Sequence, residues 1–165
     1  MQQKTGIGIV GCGLIGKVHA EAVSLLDSAS LVATYSRNFQ NADALASAHQ
    51  ARAYSDYEEF LKDPELKIVC ICSPSGLHLE HGEAAARAGK HVLVEKPIEI
   101  DLERADRLIN VCRESGVKLG VIFQSRFLES TRKIKLAMDE GLLGDRMVAD
   151  AYIKWYRAPE YYAGS

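Results

Sequence analysis

The sequence predicts an α/β protein built on a doubly wound parallel sheet, and three observations carry that prediction. Short apolar runs alternate with stretches of helical periodicity, the pattern of a parallel sheet covered by helices on both faces. The glycine pattern Gly11-Cys12-Gly13-Leu14-Ile15-Gly16 stands between the apolar run Ile7, Ile9, Val10 and a helix-like stretch. Gly89 and Gly116 follow helical runs where left-handed C-caps are expected, and Asp101 can cap the helix behind it.

Taken in order, the expected strands are 6–10, 31–35, 52–54, 67–72, 91–94 and 117–123, with helices at 14–26, 42–49, 57–61, 77–88 and 102–115. Ile15, Val18, Ala22 and Leu25 fall at helical spacing and predict the buried face of the first helix. Six strands joined by helical crossovers correspond to the two mononucleotide halves of a Rossmann sheet. Beyond it, a helix is expected at 129–140, then the turn Gly141-Leu142-Leu143-Gly144 and a long strand at 146–157. That division reads as a dinucleotide-binding domain over 1–123 and, over 124–165, the first helix and strand of a second α+β domain.

Composition bounds the function classes. A chain of 165 residues with 47% hydrophobic content is about one domain long. Its net charge of -2, from 20 basic and 22 acidic residues interspersed along the chain, argues against a nucleic-acid or anionic-membrane surface. No apolar run reaches the length of a membrane span or signal segment, so a cytoplasmic location is expected. Cys70 and Cys72 would share one face of a strand, but no second ligand pair with zinc spacing accompanies them. The four cysteines read as small buried hydrophobes, and no metal is expected.

The chemistry is expected at the carboxyl ends of the strands, where open α/β sheets bind ligands. Gly11 allows a tight turn, Gly13 lets backbone N–H groups approach a pyrophosphate, and Gly16 permits close helix packing, with Leu14 and Ile15 at the helix entry. Three further strand ends carry Ser73-Pro74-Ser75-Gly76-Leu77-His78, Glu95-Lys96-Pro97 and Gln124-Ser125-Arg126. Lys96, held extended by the proline behind it, presents a cation where a nicotinamide and a hydroxyl-bearing substrate would meet. After the second strand stands Ser36-Arg37-Asn38 instead of the carboxylate that holds the adenosine ribose in many NAD-binding domains. Arg37 could pair with a 2′-phosphate or stack on adenine, so NADP is expected, with NAD the alternative.

Together these segments resemble the glucose-fructose oxidoreductase, inositol dehydrogenase and rhizopine-catabolism family, through GIGIVGCGLIGKVHA, CSPSGLHLEHGEAAARAGKHVLVEKPI and KWYRAPEYY. The resemblance implies reversible hydride transfer between a nicotinamide and a sugar, cyclitol or nucleotide-sugar hydroxyl. It implies that Lys96 hydrogen-bonds the reacting hydroxyl and assists its proton transfer, and that the bond to Pro97 is cis. It further implies that Ser73, Pro74, His78, Glu95 and Pro97 lie near the cofactor, Ser73 standing for the family's threonine. The family's partner base is a histidine in a second domain, and the chain stops at Ser165 before any region that could hold it. Cofactor binding without turnover is therefore expected.

His19, His49, His81 and His91 read as helix-surface or packing residues. Arg126, Trp155 and Tyr156 are candidate substrate contacts, and Trp155, Tyr156, Tyr161 and Tyr162 either stack on a sugar or pack against a further sheet. Expected partners are the small-molecule substrate and, in a longer parent, further copies of the chain. The alternative from another class is a non-catalytic dinucleotide sensor, which explains the glycines but gives Glu95-Lys96-Pro97 no task.

Overall fold

A computed structural model describes residues 4–160. These form two units, divided between Ile122 and Phe123.

In the first unit the chain runs β1 Thr5–Val10, α1 Leu14–Ser24, β2 Ala29–Tyr35, α2 Phe39–His49, β3 Arg52–Tyr54, α3 Tyr57–Leu61, β4 Leu66–Ile71, α4 His78–Arg87, β5 His91–Val94, α5 Leu102–Glu114 and β6 Leu119–Val121. The six strands are ordered β3-β2-β1-β4-β5-β6, and every pairing is parallel. This is the Rossmann order, whose switch point lies between β1 and β4. Val10 pairs with Tyr35 and Ile71, Ile71 with Val94, and Val94 with Val121. Their carboxyl ends are therefore level, and the residues that follow them emerge along one edge.

Strand alternation divides the core between the two faces of the sheet. Ile7, Ile9, Leu31 and Cys70 pack with Ala20, Val23, Ala42 and Leu45 of α1 and α2. Val10, Tyr35, Val69, Ile71 and Val94 pack with Phe60, Leu79, Ala85, Leu108 and Val111 of α3, α4 and α5. At the amino end of the sheet, buried Asp63 accepts hydrogen bonds from Arg52, the Tyr54 hydroxyl and the Glu65 N–H.

The caps obey local chemistry. Asn38, Asp56 and Asp101 accept N–H groups at the starts of α2, α3 and α5, while Gly89 and Gly116 take positive φ behind α4 and α5. Three expectations are corrected. The buried stripe of α1 is Gly16, Ala20 and Val23, whereas Ile15, Val18 and Leu25 are exposed. A Cβ on Gly16 would lie 2.2 Å from the Gly11 carbonyl oxygen, so close backbone packing dictates which face turns inward. β6 is shorter than 117–123, because the Val117 N–H is spent closing α5 on the Cys112 carbonyl and residue 124 begins a 3₁₀ turn.

The second unit holds that 3₁₀ turn, Gln124–Phe127, and α6, Glu129–Asp139. Residues 146–157 form no strand, which is the third correction. Alternation supplied the face pattern, but a strand is defined by a ladder partner, and none is present among the described residues. Tyr161 and Tyr162 lie outside the described residues. No described helix is long and apolar enough to cross a membrane.

Candidate functional site

The level strand ends set up the site by backbone pairing alone. Gly11 N–H bonds to the Tyr35 carbonyl, Cys72 N–H to Val10 and Glu95 N–H to Ile71. Gly11 adopts φ +91, and a Cβ there would meet Cys72 and Ser73 backbone atoms at 2.7 Å. Only glycine fits a turn so placed. Around Gly13, the N-cap of α1, nothing lies within 4 Å of where a Cβ would stand. The first turn of α1 therefore opens onto free space, with unpaired N–H groups and the positive end of the helix facing it. Leu14 and Ile15 flank that opening as exposed residues.

Ser36 and Arg37 follow β2 at the same edge, and exposed Arg37 leads into the Asn38 cap of α2. On the other side of the switch point, Ser73 Oγ pairs with His81 Nδ1 at 3.0 Å. Burial pushes the His81 imidazole below its ordinary value and outweighs the opposing charge of Glu80. His81 also packs edge-on against Tyr35 and Tyr57, so it belongs to the site's wall. Pro74 caps the 3₁₀ turn Ser75–Leu77.

His78 is 1% exposed. Its Nδ1 faces the Pro97 carbonyl oxygen at 2.9 Å and its Nε2 the Ser73 carbonyl oxygen at 3.0 Å. Both ring nitrogens thus face backbone carbonyls inside the protein. The ring clips the loop after β4 to the loop after β5.

That second loop is held at three points. Glu95 Oε1 accepts from His19 Nε2 at 2.8 Å, while its Oε2 accepts the Lys96 N–H at 3.1 Å. Pro97 is tied to His78. Glu99, its side chain fully buried, accepts from the Leu79 and Ile100 N–H groups and from Arg104. Between these anchors the Lys96–Pro97 peptide is cis and the Lys96 side chain is exposed. Tethered on both sides, Lys96 emerges from a fixed backbone at the carboxyl end of β5.

The first unit brings the Gly11–Gly16 turn, Ser73 and Glu95-Lys96-Pro97 to one edge of the sheet. Arg126, Trp155 and Tyr156 belong to the second unit, where Arg157 lies over the Trp155 ring. Sequence reasoning missed His19, His81 and Glu99. For His19 the available signal was its place three residues beyond Gly16, and for Glu99 a carboxylate set between Ile98 and Ile100.

Sheet order, left-handed glycine turn and converging loops define a Rossmann domain of the dinucleotide type. The family model described as "Oxidoreductase family, NAD-binding Rossmann fold" (GFO_IDH_MocA) matches residues 5–123, and the chain belongs to that family. It is 37% identical over 139 residues to the inositol 2-dehydrogenase of Rhizobium meliloti, covering 84% of this chain and 42% of that protein. To the scyllo-inositol 2-dehydrogenase (NADP(+)) IolW of Bacillus subtilis it is 33% identical over 147 residues, covering 84% and 38%. The crystal structure of the WlbA dehydrogenase from Bordetella pertussis, in complex with NADH and UDP-GlcNAcA, superposes with a TM-score of 0.89 at 32% identity, over 99% of this chain and 50% of that one. The chain thus spans half or less of the length of these relatives.

Proposed function

We propose that the chain is the nucleotide-binding portion of an NAD(P)-dependent oxidoreductase acting on a hydroxyl of a sugar, cyclitol or nucleotide sugar. The observation that carries this reading is the exposed Lys96 on a tethered loop at the same sheet edge as the glycine turn. The bound dinucleotide would supply hydride transfer at its nicotinamide. Around it, the open space at Gly13 and the free N–H groups of α1 suit a pyrophosphate. Ser36 and Arg37 stand where the adenosine ribose would lie, and Arg37 favours NADP over NAD by pairing with a 2′-phosphate.

Lys96 would donate a hydrogen bond to the reacting oxygen and assist proton transfer there. Glu95 and His78 hold its backbone, so the ammonium need not be ordered afresh when substrate arrives. Residues 1–123 form the dinucleotide domain in this reading and 124–165 begin a substrate and oligomerisation domain. Arg126, Trp155 and Tyr156 would be its substrate contacts. The relatives' names support the substrate class, since they include inositol dehydrogenases and a structure holding a nucleotide sugar.

Calorimetric titration of this chain with NAD, NADH, NADP and NADPH tests the reading. Saturable binding at one site is expected, without reduction of cofactor in the presence of inositols, sugars or nucleotide sugars. Absence of binding to all four would overturn it.

A further inference from the structure

We propose that His19, Cys70 and Cys72 form a site for a borderline-soft divalent cation of the Zn²⁺ kind at the carboxyl end of β4. Cys70 and Cys72 share a strand face, and their sulfurs stand 3.8 Å apart. Zinc–sulfur bonds of about 2.3 Å at a tetrahedral angle separate two sulfurs by about 3.8 Å, so the pair already has the spacing the ion requires. The third donor comes from α1: a ring nitrogen of His19 and both sulfurs all lie within 4.8 Å of one another. Strand and helix both anchor the set: the two cysteines are legible as a pair on one strand face, but His19 lies about fifty residues away in sequence and joins them only in the fold.

The surroundings fit a cation. The Glu95 carboxylate, 2.8 Å from His19 Nε2, is the kind of orienting partner that histidine ligands carry at zinc centres. The His19 and Glu95 side chains retain 18% and 13% exposure, which leaves an approach from solvent. Binding would form two metal–sulfur bonds and release two thiol protons to the buffer, so affinity should rise with pH. The competing reading is a plain thiol–thiol hydrogen bond.

The test needs only the metal and this chain, and is therefore independent of the cofactor reading. Titration of the reduced, chelator-treated protein with Co²⁺ should give one equivalent of a tetrahedral, thiolate-to-metal absorption that Zn²⁺ bleaches. Zn²⁺ should shield Cys70 and Cys72, located by mass spectrometry, from alkylation. Cys72→Ser and His19→Gln should each lower zinc affinity about tenfold or more against a chromophoric chelator. Cys112→Ala, in the other core cluster, should not. A spectrum without thiolate bands, unshielded Cys70 and Cys72 in the wild-type chain, or affinity retained in Cys72→Ser, would overturn the proposal. The first two readouts stand even if a variant fails to fold.

Discussion

The Glu99 carboxylate accepts the Leu79 N–H across 2.9 Å, joining the loop after β5 to the first turn of α4. Burial alone would raise its pKa, but hydrogen bonds from Arg104 and from the Ile100 and Leu79 N–H groups outweigh burial and hold it at about 2. The folded value lies below the unfolded one, so its stabilisation is present above about pH 4.5 and is lost as pH falls toward 2. A displacement of that size corresponds to an effect on the order of 3 kcal/mol. Glu99→Gln should cost about 1.5 to 3 kcal/mol at pH 7 and flatten the acid limb of the stability curve. Urea unfolding at several pH values measures both, and an unchanged acid slope would refute the assignment.

Gly16 and Gly13 should respond oppositely to alanine. At Gly16 the added methyl meets a backbone oxygen at 2.2 Å, so Gly16→Ala should destabilise the fold by about 1 to 3 kcal/mol or more. At Gly13 it meets only open space, so Gly13→Ala should leave thermal stability nearly unchanged and weaken dinucleotide binding. Differential scanning calorimetry and cofactor titration on both variants check the pair. Normal cofactor affinity in Gly13→Ala would place the pyrophosphate elsewhere.

Arg37 is expected to set cofactor preference. A charge-assisted hydrogen bond contributes roughly 1.5 to 3 kcal/mol, which predicts about tenfold to a hundredfold tighter NADP than NAD binding. Arg37→Ala should abolish the difference chiefly by weakening NADP. Equal affinities in the wild-type chain would mean that Arg37 stacks on adenine without reading the phosphate.

Lys96 is expected to serve chemistry more than folding, since its side chain is exposed. In a fusion of this chain to the remaining portion of an inositol dehydrogenase relative, Lys96→Ala should lower kcat a hundredfold or more, on the order of a general acid–base contribution. Cofactor affinity should stay nearly unchanged. Wild-type turnover in the variant counts against the role.

The second unit exposes Phe127, Leu142, Met147, Ile153, Trp155 and Tyr156. Apolar surface of that extent should drive self-association. Analytical ultracentrifugation of the full chain against one ending at Phe127 isolates the effect: the longer form should sediment as larger species, and two equally monomeric forms would end the argument.

The sequence by itself determined the alternation of elements, their doubly wound class and the glycine turn, because periodicity, caps and glycine sterics are local. It also placed Lys96 at a strand end, since Glu95-Lys96-Pro97 directly follows the apolar run His91–Val94. Which face of α1 turns inward depended on the approach of Gly16 to Gly11, a contact between two backbones that an apolar count does not register. The pairings of His19 with Glu95, His78 with Pro97, and Glu99 with Leu79 join residues from separate elements. Each depends on parallel strands ending level, and only the assembled sheet brings those ends together. The run at 146–157 shows the converse: its alternation is local, but a strand also needs a neighbour to pair with, and residue pattern alone cannot supply one.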